Sequence, residues 1–238
     1  VSALKVRVKF EKLGAMKFIG HLDMMRYFQK AIRRADIDIA YTEGFSPHMI
    51  MSFASPLGVG VTSSAEYFDM ELRSAMPSHE LTRRFNTVMA DGVQVISVRE
   101  IPDGKANKGM SLVAAADYYV EFRDGKIPSW DWPDQLSVFF AQPSITISKK
   151  TKRSEQEVDI RPWIYELNCE GNRIFMKLAS GSVQNLKPEL VMEAFYRFLD
   201  KEPQPFAFMI HRQEVYANLG TPGQQKLLSL ESLGEEIE

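Results

Sequence analysis

The strongest constraint on this chain is a repeated change of hydrophobic period within its first hundred residues. Val6, Val8 and Phe10 alternate with Lys5, Arg7 and Lys9, the signature of a strand with one face buried. From Gly20 to Ala35 the period becomes helical. Met24, Phe28, Ala31, Ile32 and Ala35 fall on one arc, and Arg26, Lys30, Arg33 and Arg34 on the opposite one. A short strand is expected near Ile39–Tyr41. A breaker-rich stretch then runs from Gly44 and Pro47 to Pro56, Gly58 and Gly60, enclosing the apolar piece Met49–Ala54. Phe68, Met70 and Leu72 alternate with Tyr67, Asp69 and Glu71 as another strand. Pro77, Ser78 and Asp91-Gly92 bracket a helix over Ser78–Met89, and Val93–Val98 closes the unit as a strand. The order β-α-β-β-α-β predicts a ferredoxin-like half over residues 1–100.

The order recurs further on. Residues 101–116, with Pro102, Gly104, Gly109 and an alanine run, read as a linker. Residues 117–218 read as a second ferredoxin-like half with an inserted hairpin. Its strand is Asp117–Arg123, its helix Pro133–Ala141, and a further strand is Ile145–Lys149. Tyr165–Asn168 and Arg173–Ala179 form a hairpin, followed by a helix over Pro188–Leu199 and a last strand in Phe206–Ala217. Residues 219–238 carry more acids than bases and read as a loosely held acidic tail. The expected class is therefore α+β: two ferredoxin-like halves, each an antiparallel sheet with helices on one face.

Composition limits what such a fold could do. Residues 1–35 hold nine Lys or Arg against two acids, residues 36–100 hold four against nine, and the formal net charge is −2. That balance argues against a histone-like polyanion binder but leaves room for a basic patch near the start. The single cysteine, Cys169, cannot form an internal disulfide, and no cysteine cluster suited to zinc or iron–sulfur binding occurs. With no long apolar run and no export-like first segment, the expectation is a cytoplasmic protein without a cofactor or metal site.

Several residues invite a chemical reading. His21 follows Gly20 at the start of the basic helix, where free N–H groups favour an anion; its alternative role is to cap the helix. His48 lies in the breaker-rich loop with Tyr41, Phe45 and Ser46, a candidate loop site rich in groups seldom left idle. The stripe Arg26, Lys30, Arg33 and Arg34 has only Asp23 within its arc for pairing, so it is a candidate RNA-binding face as well as a solvated one. Lys5, Arg7 and Lys9 form a second stripe. There cross-strand pairing with Tyr67, Asp69 and Glu71 is the better account, because the first and third strands of this topology are neighbours. Lys149, Lys150, Lys152 and Arg153 read as an exposed hairpin tip, and Trp130 and Trp132 as packing residues at a helix entry.

The segment from Met16 to Leu72 resembles the bacterial radical-SAM-linked protein family, a domain of unknown function. The resemblance rests on Met16-Lys17-Phe18-Ile19-Gly20-His21-Leu22-Asp23, Arg26, and Ala31-Ile32-Arg33-Arg34-Ala35. It continues through Ile39-Ala40-Tyr41, Gly44-Phe45-Ser46-Pro47-His48, Ser52-Phe53-Ala54, Pro56-Leu57 and Glu66-Tyr67. Fainter agreement extends through Asp159-Ile160-Arg161-Pro162 and Pro188-Glu189. The chain lacks the cysteine triplet of a radical S-adenosylmethionine enzyme, so the resemblance implies such an enzyme as a partner rather than as this chain's own activity. The leading expectation is a non-catalytic accessory or RNA-binding protein. The split β-α-β pattern is also similar to that of RAMP-type CRISPR RNA endonucleases. The alternative is thus a metal-independent endonuclease with His21 and His48 as acid and base. A small-molecule or peptide-binding module, with its pocket between the halves, is the third.

Overall fold

The computed structural model describes residues 4–104, 107–150, 155–221 and 224–238. The chain is mixed α+β, with a large, mostly antiparallel sheet and, among the described residues, five α-helices. It divides into two compact units. The first comprises residues 1–114 and 212–238, the second residues 115–211.

The first unit begins with β1 (Leu4–Lys12), α1 (His21–Arg34), β2 (Met51–Ala54), β3 (Thr62–Leu72), α2 (Ser78–Asn86), β4 (Val93–Glu100) and the single turn α3 (Gly109–Leu112). Its strands lie in the order β4-β1-β3-β2, all neighbours antiparallel, which is the expected β-α-β-β-α-β arrangement. The second strand falls at Met51–Ala54 rather than at Ile39–Tyr41. Ile39 and Tyr41 make only isolated bridges, to Leu72 and Met49. The apolar arc of α1 and the alternate residues of β1 and β3 meet in one core. Phe28 is its hub, with ring centroids 4.6 Å from Phe10 and 4.8 Å from Phe68, and Phe53 sits 5.1 Å from Phe68. Edge-on and tilted aromatic pairs of this kind add to the burial of their area. Where the turn after β1 meets the loop before β4, Gly92 has φ +86° and a Cβ there would lie 2.6 Å from the Leu13 carbonyl oxygen. Only glycine fits that crossing.

The second unit contains β5 (Val113–Phe122), α4 (Trp132–Phe140), the hairpin β6 (Thr146–Lys150) and β7 (Glu155–Asp159), then β8 (Ile164–Glu170), β9 (Arg173–Ala179) and α5 (Pro188–Phe198). β5, β9 and β8 form its antiparallel ladder, and β6–β7 stands apart as a two-stranded sheet. The ladder's second strand is therefore β8, and the insertion is the β6–β7 hairpin. Phe122, Trp132, Phe139, Phe195 and Tyr196 fill the core here, with Trp132 5.2 Å from Phe122 and Trp130 5.9 Å from Tyr196. Lys152 and Arg153 of the basic hairpin tip lie outside the described residues.

The last expected strand is β10 (Phe208–Asn218). One expectation needs correction. The C-terminal stretch, expected to be loose, is held down. β11 (Leu227–Ser229) pairs with β10, Leu230 is fully buried, and Glu235 exchanges backbone hydrogen bonds of 2.8 and 2.9 Å with Glu100. The Ser78 N–H donates to the Ile237 carbonyl and the Ile237 N–H to the Ser78 hydroxyl, 2.9 Å each, at the start of α2. The acidity of this stretch is misleading because Glu231 is not solvated but paired with a lysine of the sheet. Among the described residues, no helix is long and apolar enough to cross a membrane.

Candidate functional site

β1 and β3 pair with Lys5 opposite Glu71, Arg7 opposite Asp69 and Lys9 opposite Tyr67, the two sets sharing one face of neighbouring strands as expected. Arg7 makes two hydrogen bonds to Asp69, Nε to Oδ1 at 2.8 Å and Nη2 to Oδ2 at 3.1 Å. Two of its other N–H groups donate to the carbonyls of Leu230 and Asn107. The Gly109 N–H, at the start of α3, donates to Asp69 Oδ2 at 2.7 Å. The linker and the C-terminal segment thus cover a face that sequence alone left open.

Lys9 departs from its expected partner. Its Nζ lies 2.8 Å from Glu231 and 2.9 Å from Glu214, and the buried Tyr67 hydroxyl donates to Glu214 at 2.7 Å. Burial pushes the Lys9 ammonium down, but hydrogen bonds to Glu231 and Glu214 outweigh it and hold its pKa above the usual lysine value. Burial likewise raises the Glu231 carboxyl, yet bonds from Lys9 and Ser97 bring it below the usual range. Burial drives the Tyr67 phenol well above its ordinary value, reinforced by the Glu214 charge.

Sequence reading missed a second buried ionic group. Arg212 and Glu66 form a buried pair, and Arg212 also donates to the Ser55 carbonyl at 2.9 Å. Lys12 is also buried and donates to the Ile19 carbonyl at 2.7 Å. Burial lowers its pKa, with Glu66 opposing and Arg212 adding to the shift. No local pattern marks Arg212, whose carboxylate partner is 146 residues away.

His21 opens α1, half-buried, with its ring edge-on to Phe53 at 5.3 Å. His48 sits in the loop closed by the Tyr41–Met49 bridge. Its Nδ1 is 3.1 Å from Thr42 Oγ1, which also accepts the His48 backbone N–H. Phe53 and His48 are five residues apart along the chain, up to about 16 Å if extended. The imidazoles share no hydrogen bond or ring contact, and their surroundings differ. Of the loop residues, Tyr41 and Ser46 are exposed and Phe45 stands wholly in solvent.

On α1, Arg26 pairs with Asp23 at 3.2 Å, both side chains 68% exposed, and Arg34 reaches the Val88 carbonyl at 3.4 Å. Lys30 and Arg33 are exposed and have no hydrogen-bond or ion-pair partner among the described residues.

Beside His48 lies a cavity of about 190 Å³. Its floor is the sheet face of Lys5, Asp69 and Glu71, continued by Ser52 and Ile50 of the β2 edge. Ser52 is in register with Asp69, and the Glu71 N–H bonds the Ile50 carbonyl. Ile101, Pro102 and Lys108 also line it, while the neighbouring Met49 and Met70 are buried in the core of the unit. Among the described residues, no three His, Cys, Asp or Glu side chains gather in a way that could hold a metal ion.

An α+β protein with a ferredoxin-like first unit, a cationic helix face and a small mixed-polarity cavity beside His48 is the class this geometry defines. Residues 5–188 match the family described as an uncharacterized protein conserved in bacteria (DUF2344), and the chain belongs to that family. No curated protein matches the sequence. Among solved structures, the crystal structure of a Cbf5-Nop10-Gar1 complex is similar over 88% of this chain and 48% of that one, at 10% identity and a TM-score of 0.44. The chain therefore spans about half the length of that match.

Proposed function

We propose that this chain is a non-catalytic RNA-binding protein that works beside a radical S-adenosylmethionine enzyme. The partner is what the resemblance of Met16–Leu72 implies. The observation that carries the RNA reading is on α1: Lys30 and Arg33 are exposed and lack ion-pair partners among the described residues, on the same face as Arg26 and Arg34. A solvated surface normally neutralises such a stripe with i,i+4 acids, and here only the exposed Asp23 is in place. Cations not engaged in the fold remain available to phosphates, whose counterions they displace. The separate surroundings of His21 and His48 give the endonuclease reading no such support.

The test is the salt dependence of single-stranded RNA binding, followed by fluorescence anisotropy. Changing Arg26, Lys30 and Arg33 together to Gln should weaken binding and flatten the log–log slope by about 2, at roughly 0.7 for each phosphate no longer neutralised. An unchanged affinity and slope removes α1 as the binding face.

A further inference from the structure

Phe18 stands in solvent on a backbone that is pinned on both sides. It ends the short helical turn Gly14–Phe18 just before α1, and both neighbouring carbonyls are occupied. The Gly60 N–H donates to the Lys17 carbonyl at 2.8 Å, and the buried Lys12 ammonium to the Ile19 carbonyl at 2.7 Å. The ring is nonetheless 64% exposed, with the Lys17 ammonium over it, 5.3 Å from its centroid. Val59, from the segment between β2 and β3, lies against Gly20, where an added Cβ would meet its side chain at 4.0 Å. Val59 and Leu22 are as exposed as Phe18, at 63% and 61%. Three large apolar side chains thus stand out from two segments that meet at the start of α1. Leu22 leads into the cationic stripe. With about 100° between successive residues, it lies within about 80° of Arg26, Lys30 and Arg33 around the helix. The one acid of the helix, Asp23, is already bonded to Arg26.

We infer that Phe18 is a stacking platform for an unpaired base, so that the RNA taken by α1 is single-stranded. This rests on the RNA reading above and adds to it the part that engages bases rather than phosphates. An aromatic face beside a row of cations is complementary to a strand that carries a planar ring and a charge on every nucleotide. Lys17, over the ring, is placed for the phosphate of the stacked nucleotide, and Leu22 and Val59 offer the base apolar flanks. A duplex keeps its bases paired and stacked on one another, so it can use the cations but not the ring. The pinned backbone means that little order is left to be lost on binding. A lipid surface fits less well: past Leu22 the exposed residues of α1 are all charged, which leaves no apolar side to bury in a membrane.

The experiment measures fluorescence anisotropy of the full chain with an oligouridine of about 12 nucleotides, the span of one single-strand site, and with an RNA duplex of the same length. Phe18→Ala should weaken the oligouridine about tenfold, or about 1.4 kcal/mol, within the range for one stacked base. Its salt slope should not change, because no phosphate contact is lost. The duplex should bind Phe18→Ala as it binds the unaltered protein. Phe18→Leu keeps the apolar surface without the π-face and should lose as much as Phe18→Ala, whereas Phe18→Trp should restore binding. The inference is overturned if Phe18→Ala or Phe18→Leu holds oligouridine as tightly as the unaltered protein, or if the duplex is weakened equally. It is overturned as well if Phe18→Ala loses binding to vesicles of phosphatidylglycerol and phosphatidylcholine while its RNA affinity stays. An unaltered protein that binds no RNA overturns both readings at once. A loss confined to the combined Arg26, Lys30 and Arg33 variant, with Phe18→Ala unaffected, overturns this one alone.

Discussion

Arg7 and Asp69 sit opposite one another on β1 and β3 and share two parallel hydrogen bonds of 2.8 and 3.1 Å, with the Arg7 side chain only 2% exposed. The pair pins three parts of the first unit at once, because Arg7 also holds the carbonyls of Asn107 and Leu230. Removing one partner leaves a buried charge without its counterion, which is the costly way to break such a pair. Asp69→Asn should therefore destabilise the protein by about 3 kcal/mol in urea unfolding. The double change Arg7→Met with Asp69→Leu should cost distinctly less, since no orphaned charge remains. A double variant no more stable than Asp69→Asn would show that the hydrogen bonds to Asn107 and Leu230 matter more than the charge pair.

The C-terminal segment should respond to pH at both ends of the scale. The Glu231 carboxyl is held below its usual value in the fold, so its contribution is present above about pH 4.5 and fades as pH falls through the folded pKa. Lys9 is held above its usual value, so its contribution is complete below about pH 10.5 and fades as pH rises through the folded pKa. Hydrogen exchange over residues 227–233 should accordingly be slowest between these limits after correction for intrinsic rates. Glu231→Gln should remove the acid limb. Protection that is flat down to about pH 3 would mean that β11 pairing alone holds the segment.

Phe28 touches Phe10, Phe53, Phe68 and Phe85 and is completely buried. Phe28→Ala should cost about 3–5 kcal/mol, the sum of lost transfer energy and the cavity left behind. Leu22→Ala, on the exposed side of the same helix, should stay within about 0.5 kcal/mol. Thermal unfolding of the two variants side by side reads the contrast directly. Equal losses would place the helix's main packing elsewhere.

The elements legible from sequence are those whose signal is local. Alternation along Val6–Phe10 and Phe68–Leu72 announces β1 and β3 and which face of each is buried, because a one-residue slip would turn every apolar side chain outward; a two-residue slip would not, so the exact register is left to the tertiary structure. The arc of Met24, Phe28 and Ile32 announces α1 for the same reason. The apolar piece Met49–Ala54 is visible but its pairing is not. Breakers on both sides erase the periodicity, and the β3 edge decides which four residues become strand.

By itself, the sequence determined the two ferredoxin-like orders of elements, the core faces of β1, β3 and α1, and the exposed cationic stripe. Each follows from the geometry of one helix or strand, where neighbours in space are neighbours in sequence. Only the tertiary structure decided that Lys9 would find Glu214 and Glu231, 205 and 222 residues away, and that Arg212 would be buried on Glu66. It also decided that the acidic C-terminus would dock. A charge carries no periodicity that names its partner. Which pairs form depends on which segments cover a sheet face, and that is settled by burial summed over the whole unit.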